Sequence, residues 1–400
     1  MSPVAMAFRG VRERRVSSII TILAVALACS LLMLVWAFKK EAEQSFAGAN
    51  GGFDAVLGPR GSKLQIVLNA LYHLDESPGL MKWKDFEQLT KYPAIEAAYP
   101  IAVGDNYRGY RLVGTVSDYL SKHSYAEDRN FEVEEGGTLF EEKSMNAVVG
   151  NLVARRLGME VGDTFHPYHG LIYNESAKHE EIYTVTGILK PTGTPADKVI
   201  WIPISGIQTM SGHDPKAATD ISAALLKFKQ GANMAGFQLD MLYNKQGNRL
   251  TLAWPANRTI VQFFDKISWF DKILQAVAAL VAIIAGGSIL AILYNTMNER
   301  KRDIAVLRAL GAKRFTVFTI SLLEAVGMTL AGVVAGFVVY SVLGFAIGEV
   351  VQRETGVLLN PFTGNAAMIW APLGMLGIGV LSGLLPSLKA YRTDVSKNLS

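Results

Sequence analysis

Long apolar runs lie towards both ends of the chain, and a stretch of mixed polarity separates the first from the others. The apolar runs cover residues 16–38, about 273–294, 315–347 and about 366–385. A helix that rises about 1.5 Å per residue needs about 20 residues to cross a bilayer. Each run meets that length, so we predict four transmembrane helices. The third run is longer than a straight span requires, and we expect it to tilt or to project from the membrane.

The stretch between the first two runs combines strand-like alternation with short helical patterns. The segment NAVVGNLVARRLGMEVGDTF predicts a strand ending at Gly150, a helix through Leu157, a turn at Gly158 and a strand after Asp163. We therefore predict an α+β domain. Its other predicted elements are strands near residue 110 and at 180–189 and 198–204, and a helix at 62–74 with Leu64, Val67, Leu68 and Leu71 on one side.

The first apolar run has a second interpretation as a secretory signal. Ala47-Gly48-Ala49 resembles a small-x-small cleavage site. However, the apolar core is longer than that of a usual signal, and the charged residues 39–41 separate it from that site. We predict a retained transmembrane helix.

Composition agrees with a membrane protein and excludes several other classes. Hydrophobic residues make up 50% of the chain and charged residues only 18%, and the mean hydropathy is +0.23. A net charge of +4 is too weak to indicate nucleic-acid binding, and no DNA-binding motif is present. The single cysteine, Cys29, excludes disulfides within the sequence and sites that need several cysteines.

Basic residues are concentrated in short segments beside the apolar runs, whereas the loop 348–365 carries only Arg353. Under the positive-inside bias, both termini and the basic loop lie in the cytoplasm of a multi-pass inner (cytoplasmic) membrane protein. We predict four transmembrane α-helices with a large α+β extracytoplasmic domain inserted between helices 1 and 2. The predicted order is a cytoplasmic N-terminus (1–15), helix 1 (16–38), the extracytoplasmic domain (39–268), helix 2 (269–294), a cytoplasmic coupling helix (295–314), helix 3 (315–347), a short external loop (348–365), helix 4 (366–385) and a cytoplasmic tail (386–400).

The basic segment NERKRDIAVLRALGAKR, between the second and third runs, has the pattern of an amphipathic helix. Ile304, Leu307 and Leu310 fall on one side at helical spacing, and Gly311 is suited to end the helix. Charged residues occupy the other sides. The pattern fits either a helix lying on anionic membrane lipid or a helix docking in a groove of a cytoplasmic partner. The pattern alone leaves both open.

This segment resembles the coupling loop M-x-E-R-x-x-E-I-x-x-L-R-A-L-G-A of permease subunits of MacB/FtsX-type ABC transporters, a group that includes the lipoprotein-releasing permeases. Asp303 stands where glutamate is usual and keeps the charge. By this resemblance the segment docks on a cytoplasmic ABC ATPase subunit. The implied docking residues are Glu299, Arg300, Asp303, Ile304, Leu307, Arg308, Leu310 and Gly311.

Other segments extend the resemblance over nearly the whole chain. The third run carries Glu324 followed by Gly332 and Gly336, and SGLLPSLKAYRTD follows the fourth run, as in the family. VVGNLVARRLGMEVGD and VTGILKPTGTP are similar to segments of its exterior domains. The resemblance implies a second permease copy or a related permease as partner, and a periplasmic adaptor or substrate protein.

Catalytic and cofactor motifs are missing from the sequence. No G-x-x-x-x-G-K-[ST] loop is present to cradle phosphates, so we expect ATP and Mg²⁺ to be bound by a separate ATPase chain. Neither G-x-S-x-G nor H-E-x-x-H occurs. We predict no catalytic residues, no cofactor and no enzymatic activity in this chain.

Polar and small residues inside the apolar runs form a second group of candidate positions. Glu324 is costly in a membrane unless it is paired. Gly332, Gly336 and Gly383 permit close helix contact, either within one subunit or between two copies. The sequence leaves those alternatives open.

Histidines in the predicted extracytoplasmic domain suggest a metal pair at His166 and His169, with His179 nearby. A proline between the pair breaks helical spacing, and no carboxylate or thiol at a suitable spacing completes a zinc site. We predict no metal site.

Three functions fit the sequence. The first is an ABC permease that transmits the motion of its ATPase to the extracytoplasmic domain, for export or extraction of a substrate at the outer face. The alternative is an FtsX-like mechanotransmission permease that acts on a cell-wall hydrolase or adaptor without transport. A receptor or scaffold without an ATPase leaves the docking segment unexplained. We favour the first because the extracytoplasmic domain is large.

Overall fold

The computed structural model describes residues 3–212, 219–232, 234–299, 306, 311–360, 362 and 366–392. The chain divides into two compact units. The helical unit contains Met1–Glu41, Ile267–Gly348 and Asn360–Ser400. The sheet unit contains Ala42–Lys266 and Glu349–Leu359, so it includes part of the segment predicted as the short external loop.

Four helices in the described part of the chain are long and apolar enough to cross a membrane, which confirms the four predicted spans. The first, second and third of them extend well past the predicted apolar runs. The α-helices are α1 (Pro3–Glu13), α2 (Arg15–Gly48), α3 (Lys63–Ala70), α4 (Trp83–Thr90), α5 (Ser117–Lys122), α6 (Asn151–Leu157), α7 (Ile204–Thr209), α8 (Ala235–Asp240), α9 (Ala256–Glu299), α10 (Arg314–Thr355) and α11 (Ala367–Arg392).

The strands confirm the predicted α+β character of the inserted domain. They are β1 (Ala55–Pro59), β2 (Ile95–Tyr107), β3 (Tyr110–Thr115), β4 (Ser124–Ala126), β5 (Arg129–Asn130), β6 (Asn146–Val149), β7 (Thr164–Phe165), β8 (Tyr168–His169), β9 (Tyr183–Ile188), β10 (Ile200–Pro203), β11 (Ala223–Phe228) and β12 (Leu250–Ala253).

A mixed sheet is built from ten of these strands, in the order β12-β1-β11-β2-β3-β10-β6-β9-β7, with β8 added beside β2. The pairs β3–β10 and β6–β9 are parallel, and the other pairs in the sheet are antiparallel. β4 and β5 form a separate hairpin. The long strand β2 contacts three neighbours, which makes it the organising strand of the unit.

Local sequence signals placed several elements correctly. The strand β6 ends before Gly150, and α6 ends at Leu157. Gly158 then takes φ 66°, the left-handed conformation that glycine adopts at low cost after a helix. The predicted strands at 180–189 and 198–204 appear as β9 and β10, each shorter than predicted.

The buried face of α3 differs from the predicted stripe. Val67 and Leu71 are buried as expected, but Leu64 and Leu68 are only half-buried and Ile66 is almost fully buried. The reason is the close approach of α3 to β1. A Cβ atom built at Gly58 would lie 2.9 Å from Cγ2 of Ile66, so the bare glycine backbone sets which side of the helix turns inward.

The core of the sheet unit also contains buried polar rings. Trp201 is fully buried, and the ring of His73 lies edge-on to it with centroids 5.5 Å apart. Burial lowers the pKa of His73 to about 3, and the positive charge of Arg111 acts in the same direction. The imidazole is therefore neutral in the folded protein at neutral pH.

Acidification should destabilise the sheet unit through His73. The unfolded chain takes up a proton near the ordinary histidine pKa of about 6.5, whereas folded His73 does so only near pH 3. Stability from this group is therefore complete above about pH 6.5 and is lost as the pH falls. We expect the unfolding free energy of the full chain to drop by about 2 kcal/mol between pH 6.5 and 5.

Denaturant titrations at a series of pH values, followed by tryptophan fluorescence, measure this slope. The His73→Asn variant should flatten it, because asparagine tolerates the positive φ of 52° at this position and does not titrate. Some slope should remain, since burial also lowers the pKa of His123. A slope unchanged by His73→Asn would contradict the assignment.

Candidate functional site

Glycines hold the helices of the helical unit at short distances. A Cβ atom built at Gly332 of α10 would lie 2.5 Å from Cβ of Val25 and 3.0 Å from the carbonyl oxygen of Ile22, both in α2. One turn further on, a Cβ atom at Gly336 would lie 3.0 Å from Cβ of Cys29. The helices α2 and α10 therefore meet backbone to backbone along this face.

The helix α11 also packs closely against α10 and α9 at glycines. A Cβ atom at Gly383 would lie 2.6 Å from Cβ of Ala325 in α10, and one at Gly286 in α9 would lie 2.6 Å from Cγ2 of Ile378 in α11. Thus Gly332, Gly336 and Gly383 each face another helix of the same chain. Of the two arrangements that the sequence left open, packing within one subunit accounts for their surroundings.

Glu324 lies on the buried face of α10 and is only 4% exposed. Two hydroxyls on the same face are also buried. Ser321 donates to the carbonyl oxygen of Val317, at 3.3 Å, and Thr329 donates to that of Ala325, at 2.8 Å. The bundle interior is therefore not purely apolar along this part of α10, and the functional role of Glu324 stays a prediction.

Only part of the predicted docking set falls on described residues. Glu299, the last residue of α9, forms an ion pair with Arg14, just before α2. Gly311 takes φ 98°, a backbone conformation that glycine adopts readily. Arg300, Asp303, Ile304, Leu307, Arg308 and Leu310 lie outside the described residues. Their docking role therefore still rests on the sequence.

The last turns of α10 and the residues after it pack within the sheet unit. Glu349 forms an ion pair with Arg156, and the ammonium of Lys198 donates to the carbonyl oxygen of Glu354. The amide of Leu358 donates to the carbonyl oxygen of Gly193, at 3.2 Å. The segment Glu349–Leu359, which returns to the sheet unit far along the chain, is thus held by several independent polar contacts.

A buried aspartate organises the loop that receives this segment. Asp197 accepts hydrogen bonds from the amides of Thr192 and Gly193, at 3.0 and 2.8 Å, and from the Thr192 hydroxyl, at 2.8 Å. Burial raises the pKa of Asp197, although these donors act in the opposite direction. A Cβ atom at Gly356 would lie 2.9 Å from Cα of Pro195, so the loop and the returning segment are in close contact.

The fold separates the two candidate histidines His166 and His169. His169 lies beside Asp105 and His179, whereas the His166 ring is 3.2 Å from the backbone carbonyl oxygen of His179. Sequence reasoning missed Asp105, which is far away along the chain. Its proximity to His169 follows from the pairing of β2 with β8, and no local signal in the sequence announces that pairing.

Two open clefts lie on the sheet unit and share Asn50, Glu96 and Lys227 in their walls. Their volumes are about 640 and 530 Å³. The first also contacts Trp254, and the second His123. Their walls mix charged and aromatic groups, unlike the mostly apolar lining of a typical small-molecule pocket.

Two family models match the chain in consecutive parts. The MacB-like periplasmic core domain matches residues 17–241, and the FtsX-like permease C-terminal region matches residues 276–395. The first covers more than half of the 400 residues. The second includes α10, α11 and part of α9.

Curated relatives carry the names of exporters. The chain is 23% identical over 412 residues to the pyoverdine export ATP-binding/permease protein PvdT of Pseudomonas fluorescens, covering 98% of this chain and 58% of that protein. It is 28% identical over 137 residues to the macrolide export ATP-binding/permease protein MacB of Vibrio parahaemolyticus, covering 34% of this chain and 20% of that protein. The chain thus spans 58% of the length of the PvdT relative.

A solved structure, the periplasmic region of MacB from Actinobacillus actinomycetemcomitans, is 13% identical, with a TM-score of 0.36, and covers 54% of this chain and 94% of that one. The family matches, together with four apolar helices and a mixed-sheet domain between the first two, account for nearly the whole chain. The chain belongs to the MacB/FtsX-type family of ABC transporter permeases, as a multi-pass membrane protein with a MacB-like periplasmic core domain.

Proposed function

We propose that the chain transmits the ATP-driven motion of a separate cytoplasmic ABC ATPase to its extracytoplasmic domain, for export or extraction of a substrate at the outer face of the membrane. Family membership and the export names of the relatives support this proposal. The match of residues 17–241 to the MacB-like domain favours export over mechanical signalling to a cell-wall enzyme.

The observation that carries the proposal is the continuity of three helices. α2, α9 and α10 each contribute residues to both units, and none of them breaks where one unit gives way to the other. An α-helix is hydrogen-bonded along its whole length, so it moves more as a rod than as a flexible linker. A displacement at one end of such a helix is therefore passed along its axis.

The returning segment adds a second mechanical feature. α10 ends at Thr355, and Glu349–Leu359 is fixed to the sheet unit by the contacts of Arg156, Lys198 and Gly193. Motion of α10 would reach the core of the domain through the loop 192–197, which Asp197 holds in shape. Because these are hydrogen bonds and an ion pair, they can transmit a force directed towards the sheet unit or away from it.

The cytoplasmic end of the same helices would receive the motion from the ATPase. Residues 300–313 lie between α9 and α10, and the sequence pattern predicts an apolar stripe of Ile304, Leu307 and Leu310. The charge distribution supports an inner-membrane orientation with both termini in the cytoplasm. A second permease copy would complete a symmetric complex with two ATPases.

Replacing Leu307 with aspartate tests this function. If Leu307 docks in an apolar groove of an ATPase, an unpaired charge there should weaken association about 30-fold or more, since buried anchors contribute about 2 kcal/mol or more. The tagged chain is purified from its native membranes, and a co-purifying ABC ATPase is identified by mass spectrometry through its phosphate-binding loop. ATP hydrolysis by the complex is measured in parallel.

Charge variants of the same segment provide the matched control. Arg308→Glu should reduce association less than Leu307→Asp, because it alters register and association rate. A helix that only lies on lipid predicts the reverse order, with Arg300, Lys301 and Arg302 each contributing about 1 kcal/mol to membrane attraction. Retention of the ATPase and of coupled hydrolysis by Leu307→Asp would refute the docking role.

A further inference from the structure

Three side chains converge near the end of β2 in the sheet unit, two from one loop and the third from β2 itself. Nε2 of His179 lies 3.1 Å and Nδ1 of His169 lies 3.4 Å from the same carboxylate oxygen of Asp105. One ligand atom from each residue lies within 4.8 Å of the others. We propose that Asp105, His169 and His179 form a binding site for a divalent transition metal, with Zn²⁺ as the metal to test.

The two spacings that involve Asp105 agree with the edges of a zinc tetrahedron. Zinc binds histidine nitrogen and carboxylate oxygen at about 2.0–2.2 Å, which places neighbouring ligand atoms about 3.3 Å apart. The two distances to Asp105 fall on either side of that value. Two imidazoles with one carboxylate are a zinc ligand set that leaves the fourth position open to water or another ligand.

The surrounding backbone holds His169 in place before any metal binds. Asn106, fully buried beside Asp105, donates its side-chain amide to the carbonyl oxygens of Tyr168 and Gly170, at 3.3 and 2.8 Å. The amide of Gly170 donates to the carbonyl oxygen of Gly104, at 2.9 Å. These bonds fix the chain on both sides of His169, as is needed for a site with little reorganisation on binding.

His179 is held by a separate set of contacts. Its amide donates to the carbonyl oxygen of Pro167, at 2.9 Å, and its own carbonyl oxygen faces the His166 ring. His169 and His179 therefore come from the two ends of one loop, and Asp105 comes from β2. A bound ion would cross-link this loop to β2.

The three side chains differ in solvent exposure. The side chain of Asp105 is fully buried and that of His179 is 5% exposed, whereas His169 is 57% exposed. A buried carboxylate is costly as an anion, and a divalent cation offsets that cost. The exposed His169 leaves an entry path for the ion, which a usable site requires.

This inference departs from the prediction of no metal, which considered only ligands at recognisable sequence spacing. The competing interpretation is a polar cluster in which the two imidazoles only hydrogen-bond to Asp105. The inference does not depend on the proposed export function, because it concerns binding to the chain alone. Metal uptake by the chain therefore distinguishes a metal site from a hydrogen-bonded polar cluster.

The test uses the full chain, purified in detergent without a polyhistidine tag and stripped with a chelator. After dialysis against buffered Zn²⁺, the number of zinc ions per chain is measured by elemental mass spectrometry. We expect one Zn²⁺ per chain. Co²⁺ substitution should give the visible absorption of a four-coordinate site, with intensity that saturates at the same stoichiometry.

Single histidine variants locate the site. His169→Ala should weaken Zn²⁺ binding at least about 100-fold, since even losing an outer hydrogen-bond partner of a ligand costs 10–100-fold. Its exposure makes it the variant least disturbing to the fold, unlike Asp105→Asn or His179→Ala. Glu175→Ala, at an exposed position of the same loop but outside the trio, should bind as the wild type does. Absence of uptake by the wild type, equal uptake by His169→Ala, or equal loss in both variants would each overturn the assignment.

Discussion

Gly332→Ala is expected to destabilise the helical unit by about 3 kcal/mol, the upper part of the usual range for overpacking. The added methyl carbon would lie 2.5 Å from Cβ of Val25, an atom fixed to the backbone of α2 that no rotamer change can move away. The carbonyl oxygen of Ile22 closes the other side at 3.0 Å. The two helices must therefore separate, which also breaks neighbouring contacts.

The same substitution at two other glycines of α10 provides matched controls. Gly336→Ala meets its nearest atom at 3.0 Å and should cost about 1 kcal/mol. Gly327→Ala meets nothing within 4 Å and should change stability by less than about 0.5 kcal/mol. The midpoints of SDS-induced unfolding in mixed micelles rank the three variants. If Gly332→Ala unfolds with the midpoint of Gly327→Ala, the contact of α2 with α10 is wrong.

Asp197→Ala should destabilise the sheet unit by about 3 kcal/mol. Removing the carboxylate leaves the amides of Thr192 and Gly193 without their acceptor, and a buried unsatisfied donor costs about 1–3 kcal/mol. The loop would then lose its shape at the point where Gly193 accepts from Leu358. We therefore expect the returning segment to loosen together with the loop.

Asp163→Ala is the control for this prediction, because Asp163 also accepts a backbone amide, that of Glu160 at 2.9 Å, but is exposed. It should cost less than about 1 kcal/mol. Denaturant unfolding of the full chain gives the free energies, and hydrogen exchange of residues 349–359 reports the loosening. Equal effects of the two variants, or unchanged exchange in Asp197→Ala, would contradict the proposed role of Asp197.

Much of the architecture could be predicted because it rests on local patterns. The four spans follow from apolar runs of sufficient length, and the turn at Gly158 follows from one glycine after a helix. The inward face of α3 could not be predicted in the same way, because it is set by a glycine in another element, Gly58. Residues that meet only in three dimensions leave no periodic signal.

The same limit applies to the candidate sites. The docking segment is contiguous, so its amphipathic pattern could be read directly from the sequence. Asp105 and His169 come together through the pairing of β2 with β8, a strand of only two residues that has no periodicity of its own. The structural role of Asp197 could not be predicted either, although the preceding TGTP segment is typical of a turn with side-chain hydrogen bonds.

The return of Glu349–Leu359 to the sheet unit matters for anyone who wishes to express that domain as a soluble fragment. A fragment cut at residues 42–266 is contiguous in the gene but incomplete as a folding unit. It would leave Arg156, Lys198 and the carbonyl oxygen of Gly193 without their contacts from this segment, and would uncover the backbone that Gly356 approaches. Fusing residues 349–359 to the fragment through a flexible linker restores the missing piece as an intramolecular ligand.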